Sequence, residues 1–196
     1  HILDKLENKA DRRVAFIHKA LTDLQAKLEK LGSSLNVFHD TPENVFARLL
    51  SVYRIEAVYT NHDYEAYAIS RDQQIKSLLD KHQVKLHTFK DQVIFEKDEV
   101  LKDDGKPYTV FTPYSRKWKS TLTETSLHPC PTKQYFNNFF QQAPEKIPTL
   151  QQIGFLETGQ SFPSDKLDEA LVKHYSGQRD FPGIRGTSRL GVHLRF

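Results

Sequence analysis

The strongest constraint in this sequence is a spacing. Val14, Ile17, Leu21, Leu24, Leu28 and Leu31 recur at alternating intervals of 3 and 4 residues, which sets all of them on one face of an α-helix. The pattern predicts a helix over 11–31, and Gly32 stands where a C-terminal cap belongs. Leu35 to Phe38 is a short apolar run, read as a strand. Thr41 followed by Pro42 reads as an N-cap and first helical position, and Val45, Phe46, Leu49, Leu50 and Tyr53 give this second helix its buried face. A strand at Ile55–Tyr59, a helix over 65–81 burying Ile75, Leu78 and Leu79, and a strand at Val84–Phe89 follow. Helix and strand alternate at intervals that suit βαβ crossovers. The expected fold class is α/β, a Rossmann-like doubly wound parallel sheet. Because the pattern opens on a helix, the first strand or strands are expected to be missing from this chain.

Beyond residue 90 the rhythm changes. Val100 and Leu101, Asp104-Gly105, then Tyr108 and Val110 read as a hairpin or folded-back loop. From 121 to 160 the apolar period fades and Pro, Gln and Thr increase, so this stretch is expected to connect two domains. Ser164 reads as the cap of a last helix whose buried face includes Leu167, Ala170 and Leu171. The expected organisation is an α/β domain over 1–120, a connector over 121–160 and the beginning of a second, helical domain over 161–196.

Bulk properties exclude several classes. A hydrophobic content of 38% and a charged content of 27% suit a soluble globular chain, and no apolar run approaches the length of a membrane span. The net charge of +3 permits nucleic acid binding without demanding it. Cys130 is the one cysteine, so no intrachain disulfide can form; a cytoplasmic setting and a monomer are expected. There is no glycine fingerprint after a strand, no P-loop and no nucleophile elbow. His128 and Cys130 offer two potential metal ligands with nothing nearby to complete a site, so no metal is expected.

Two stretches carry candidate chemistry. Thr60-Asn61-His62-Asp63-Tyr64-Glu65 follows a strand at the end where doubly wound sheets bind ligands. It reads either as a polar cofactor pocket or as a turn in which Asn61 or Asp63 caps the next helix and His62 is solvated. At the other end of the chain, Gly186-Thr187-Ser188 precedes a run of helical character. A glycine permits close backbone approach, two hydroxyls can donate, and the first free N–H groups of a helix add positive charge, so the run can hold an anion or serve only as a cap. Basic and aromatic residues alternate over Tyr114–Lys119, but Trp118 is expected to pack beneath the loop with its lysines solvated.

The C-terminal stretch is more specific than its tripeptide. Tyr175, then Arg179-Asp180-Phe181-Pro182, then Gly186-Thr187-Ser188-Arg189-Leu190 fall in register with the flavin-entry segment of the DNA photolyase/cryptochrome family, which this chain resembles. Tyr59, Asn61, Tyr64, Glu65, Arg71 and Asp72 resemble the family's antenna domain, as does Lys106-Pro107-Tyr108-Thr109-Val110-Phe111-Thr112-Pro113. The resemblance implies FAD held by Tyr175, Thr187, Ser188, Arg189, Leu190 and Gly191, and DNA backbone contact by Arg179. Gly191 stands where the family usually has Ser, which removes one hydroxyl from the flavin site. It also implies an antenna pigment near Asn61, Tyr64 and Glu65. Tyr67 and Ala68 replace the Asn-Glu pair of folate-binding members, which disfavours folate and leaves a deazaflavin, a flavin or no pigment open.

The activity the resemblance implies is light-driven splitting of cyclobutane pyrimidine dimers in UV-damaged DNA, by electron transfer from reduced FAD. It would belong to the parent protein, with the isolated chain inactive and no catalytic residue within it. A cryptochrome photoreceptor is the alternative, and a nucleotide-binding or interaction module without light chemistry is a second.

Overall fold

The computed structural model describes residues 3–91, 93–159 and 161–194. Their helices and strands run in the order α1 (Arg12–Glu29), α2 (Pro42–Val52), β1 (Ala57–Asn61), α3 (Ala66–Lys81), β2 (Lys85–Phe89), α4 (Phe111–Thr121) and α5 (Glu169–Gln178), with short 3-10 turns between them. The chain divides into two compact units. One comprises residues 29–145; the other joins the residues up to 28 with those from 146 onward.

In the 29–145 unit, β1 and β2 pair in parallel, Ala57 opposite Lys85 through Asn61 opposite Phe89. Parallel neighbours need a crossover, and α3 supplies it. The α3 face carrying Ile75 and Leu79 packs with Val84, and Phe46, Leu50, Ile55, Val58 and Leu86 close around them. Leu79 is wholly enclosed. The helix ends where Gln83 turns left-handed, at φ 60°. The Val84 N–H then donates to the Leu79 carbonyl at 3.0 Å and Gln83 N–H to Asp80 at 3.1 Å, a Schellman-type closure that turns the chain directly into β2. At α2, Thr41 is the N-cap and its hydroxyl accepts from Asn44 N–H at 3.4 Å, with Pro42 first in the helix, as its sequence predicts.

Two expectations are corrected in this unit. Leu35–Phe38 forms no strand; the sole ladder among the described residues joins β1 to β2. Its approach is tied instead to the 141–145 segment, where Gln142 N–H donates to the Gly32 carbonyl at 3.1 Å and Glu145 N–H to Ser34 Oγ at 2.8 Å. A strand without a neighbouring ladder has no reason to persist. Tyr53, assigned to the buried face of α2, is its exposed C-cap. The folded-back loop expected over 100–110 is present, closed by Lys102 N–H to the Lys106 carbonyl and Gly105 N–H to the Lys102 carbonyl, both at 2.9 Å, and it leads into α4, which the sequence reading did not assign. Pro113 sits third in α4, inside the first turn, where a missing N–H costs nothing. Trp118 packs edge-on against Phe95, ring centroids 5.5 Å apart.

In the other unit, α1 forms as its spacing predicts, but its stripe is buried only at Val14. Ile17 and Leu24 stay exposed, while Ala15 and Gln25 are buried. Val14 and Ala15 pack with Leu150 and Phe155, flanked by Leu3, Leu6, Ile153 and Phe162. Gly154, at φ 82°, lets Phe155 N–H reach back to the Leu150 carbonyl at 2.8 Å, which places both side chains in the core. Ser164 does not cap the last helix. Asp168 does, its Oδ1 accepting from Ala170 N–H at 3.0 Å and Leu171 N–H at 3.2 Å, and Leu167 is exposed. A carboxylate compensates the helix N-terminus better than a hydroxyl four residues too early.

Gly32 is left-handed, at φ 75°, but it lies three residues past the end of α1 rather than at its C-cap, its N–H donating to the Glu29 carbonyl at 3.0 Å, and a Cβ there would sit 2.1 Å from Gln141 Oε1. The Gln141 amide can swing away; the backbone cannot. Gly32→Ala should therefore cost about 1–2 kcal/mol, the strain of an L-residue in the left-handed region. Gly32→Ala/Gln141→Ala should recover little of it. Thermal or urea unfolding checks both, and full recovery in the double variant would show that the clash, not the backbone, sets the cost.

Candidate functional sites

The residues after α5 build a basic cleft within the unit that contains α1. Phe181-Pro182 turns the chain, with Phe181 N–H donating to the Gln178 carbonyl at 3.2 Å and Ile184 N–H to that of Phe181 at 3.0 Å. Gly186 then lies so close to the end of α5 that a Cβ would meet the Gln178 carbonyl oxygen at 2.7 Å. That contact is with backbone, so only glycine fits. The close approach holds Thr187, Ser188 and Arg189 against α5. Arg189 is left-handed at φ 56°, and Ser188 Oγ accepts from Leu190 N–H at 3.3 Å. The helical run expected here is a 3-10 turn, Leu190–Val192, and its expected continuation reaches residues 195–196, outside the described residues.

The cleft has a volume of about 690 Å³, and Thr187, Ser188 and Arg189 line it with Arg12, Lys166 and Arg185. Asp168 is the one carboxylate among its lining residues. Its walls include Phe162, Pro163 and Leu171, and Phe162 is held by Phe16, edge-on at 5.1 Å. Hydroxyl donors among surplus guanidinium and ammonium groups suit the diphosphate of a dinucleotide. Three of the six flavin candidates thus line one cleft. Tyr175, Leu190 and Gly191 are not part of its lining. Tyr175 lies on α5 beneath the Arg179 guanidinium, 5.6 Å from ring centre, and Arg179 Nε is 3.6 Å from Asp180 Oδ2. That ion pair is exposed, so it is worth at most about 1 kcal/mol and exchanges readily. Sequence reasoning missed Arg185, which directly precedes Gly186, and also Arg12 and Lys166, because no local motif marks a cation that reaches a cleft from outside its own stretch.

The second site lies at the carboxyl end of β1. A hollow of about 360 Å³ opens between α3 and the sheet, lined by His62, Tyr64, Asp72, Lys76, Thr88 and Lys97 among others. Of the antenna candidates, Tyr64 lines it. Asn61 ends β1 and its side-chain amide donates to Asp91 Oδ1 at 3.1 Å, while Glu65 is the N-cap of α3 without a side-chain capping bond. Asp63 Oδ1 takes the N–H groups of Tyr64 and Glu65 instead, at 2.7 and 3.4 Å. The decisive residue here is one the sequence did not mark. Glu96 Oε2 accepts from the Tyr64 hydroxyl at 2.5 Å and lies 2.7 Å from His62 Nε2. His62 is accordingly half-buried rather than solvated. Lys90 fixes the loop further, its Nζ bonding both Glu99 oxygens at 2.8 Å.

These bonds shift both partners. The hydrogen bond to Glu96, with burial adding, pushes the Tyr64 phenol up to about 12. Hydrogen bonds from Tyr64 and then His62 hold the Glu96 carboxyl below its usual range. Among the described residues no cluster of His, Cys, Asp and Glu could hold a metal ion, and no helix is long and apolar enough to cross a membrane.

The parallel βαβ unit, with a hollow at its strand ends, and the basic, hydroxyl-lined cleft belong to an α/β protein. The DNA photolyase family model matches residues 2–134. The deoxyribodipyrimidine photo-lyase of Synechococcus sp. is 29% identical over 203 residues, covering 95% of this chain and 42% of the relative. Cryptochrome-1 of Erithacus rubecula is 27% identical over 155 residues, covering 76% of this chain and 25% of the relative. The crystal structure of a bacterial class III photolyase from Agrobacterium tumefaciens superposes with a TM-score of 0.68 at 21% identity, over 95% of this chain and 41% of that one. The chain belongs to the DNA photolyase family, and it spans about two-fifths of the length of the photo-lyases it matches.

The Glu96 bridge gives a pH test. A depressed carboxyl contributes stability that is complete above its unfolded value, about 4.3, and is lost as pH falls through the lower folded value. The raised Tyr64 phenol acts oppositely: its contribution is lost as pH rises through about 12. Tyr64→Phe should move the Glu96 carboxyl titration, followed by NMR, upward toward the ordinary value. An unchanged Glu96 titration in that variant would show that the Tyr64 bond is not what depresses it.

Proposed function

We propose that the protein carrying this chain is a light-dependent DNA repair enzyme, a deoxyribodipyrimidine photo-lyase that splits cyclobutane pyrimidine dimers. The observation that carries this reading is the basic cleft, in which Thr187, Ser188 and Arg189 stand in the register of the family's flavin segment. Reduced FAD, when bound, supplies on illumination the electron that opens the cyclobutane ring.

The chain's own residues bind and orient. Thr187 and Ser188 donate hydroxyl hydrogen bonds to the flavin diphosphate, and Arg189 neutralises it. Tyr175, Leu190 and Gly191 belong to the ribityl side, with Gly191 offering only its backbone N–H. Arg179 exchanges its exposed pair with Asp180 for a DNA phosphate, a bidentate contact that suits a guanidinium. The lesion would be flipped from a duplex that its own poor stacking has already weakened. Asn61, Tyr64 and Glu65 are the residues assigned to an antenna pigment, of which Tyr64 lines the hollow, and the site suits a deazaflavin, a flavin or no pigment rather than a folate. In this reading 1–120 is the antenna domain, 121–160 a connector and 161–196 the opening of the flavin domain. The likeness to a cryptochrome favours a second reading, a flavin photoreceptor without repair.

The test uses the full-length protein, chemically reduced and mixed with a thymine-dimer oligonucleotide. Loss of dimers in blue light and not in darkness is expected; a bound, photoreducible flavin without repair of this substrate would favour the photoreceptor. Arg179→Gln should weaken binding of the damaged duplex and lower the salt slope of log K by about 1. Flavin retention should not change. The 196-residue chain alone should neither repair DNA nor retain flavin stoichiometrically.

A further inference from the structure

Several cations of this protein pair with a carboxylate close by. Arg13 grips Asp11 through two atoms, Nε at 3.1 Å from Oδ1 and Nη2 at 2.6 Å from Oδ2. Lys19 pairs with Asp23, Arg71 with Asp72, Lys90 with Glu99 and Lys117 with Asp103. The cleft beside α5 instead gathers four cations in one place. Arg12, Lys166, Arg185 and Arg189 all line it, and none has a carboxylate partner among the described residues. The one acid in the lining, Asp168, is engaged by two N–H groups at the start of α5.

Four like charges around one cleft repel one another, and a fold retains that cost most readily where an anion relieves it. Three of the four are guanidinium groups, whose planar forks match phosphate oxygens. Ser188 Oγ already accepts from Leu190 N–H, so its own proton is free to point outward. A volume of about 690 Å³ exceeds what one phosphate needs and lies in the usual range for small-molecule sites, roughly 300–1,000 Å³. Arg12 is the informative member. It opens α1, some 175 residues before the Gly-Thr-Ser run. Consecutive helical residues point about 100° apart, so Arg13 can serve Asp11 while Arg12 serves the cleft.

We propose that Arg12 closes a diphosphate clamp with Lys166, Arg185 and Arg189, so that α1, and not only the C-terminal segment, binds the dinucleotide. The inference rests on the flavin reading above and adds to it a phosphate-binding residue from outside the family's segment. Arg13, its neighbour, takes no part.

The experiment measures binding by the full-length apoprotein of two probes, FAD by fluorescence and inorganic pyrophosphate by calorimetry. Arg12→Gln should weaken both by roughly tenfold, the scale of one charged hydrogen bond. Arg12→Lys should restore part of the loss, and Arg13→Gln should change neither. Unaltered affinity for both probes in Arg12→Gln overturns the clamp, as does an equal loss in Arg13→Gln. If Arg12→Gln instead weakens only damaged DNA, the cations are a nucleic acid contact and the clamp is again overturned. A wild type that binds pyrophosphate but not FAD, with the loss in Arg12→Gln intact, keeps the clamp and removes the flavin reading. Binding of neither probe by the wild type removes both.

Discussion

The enclosure of Leu79 is the contact on which the 29–145 unit depends. Parallel strands cannot be joined by a tight turn, so β1 and β2 meet only if the crossover helix lies down between them. Leu79 fixes that helix from its last turn, and the Schellman-type closure at Gln83 starts β2 from the same point. Helix end, core contact and strand start are therefore one event. Removing a wholly buried leucine side chain from such a place costs about 2–5 kcal/mol in other proteins, a large part of a typical domain's stability of about 5–15 kcal/mol. The register Ala57–Lys85 through Asn61–Phe89 follows from it.

That register decides what can happen at the strand ends. Asn61 and Phe89 finish level, and His62 N–H donates to the Phe89 carbonyl at 2.9 Å, so the loops leaving both strands emerge side by side. The 90–99 loop can then reach Tyr64 and His62 with a single carboxylate. Glu96 thereby makes the hollow's wall a product of the sheet rather than of the local turn, and its lowered pKa is the electrostatic record of two donors converging on one oxygen. The Gly186 contact with Gln178 plays the same part for the basic cleft: a missing side chain lets a loop settle on a helix end and aim its hydroxyls.

What the sequence made legible was local or periodic. The α1 spacing, the Thr41-Pro42 start, the left-handed Gly32 and the helix–strand order all follow from rules acting within a few residues. α4 escaped because Pro113 and the small polar residues around it resemble a turn, and only position inside the first turn makes them helical. Leu35–Phe38 has strand composition, but composition cannot supply a neighbour. Ser164 and Asp168 are both acceptable caps, and the Asp168 carboxylate, which takes two N–H groups of the first turn, starts the helix at the later one. Glu96 and Arg12 escaped for a different reason: each acts on residues about 30 or more than 150 positions away, a distance at which no pattern in one sequence is visible.

The flavin segment shows where a motif stops being a site. Six of its residues were read as one binding set, yet side chains adjacent in sequence need not converge. Arg189 turns left-handed and the 3-10 turn after it carries Leu190 and Gly191 away from the cleft that Thr187 and Ser188 line. Convergence came in part from residues the motif does not contain, Arg12 and Lys166. A motif therefore specifies donors, while the surrounding fold specifies the charge those donors work in. Here that charge is four cations without acids of their own, beside an Arg13 that has one. Chemistry of the same residue type is divided by where the backbone points it: Arg13 spends its guanidinium on the start of its own helix, and Arg12 leaves its guanidinium available to whatever anion enters.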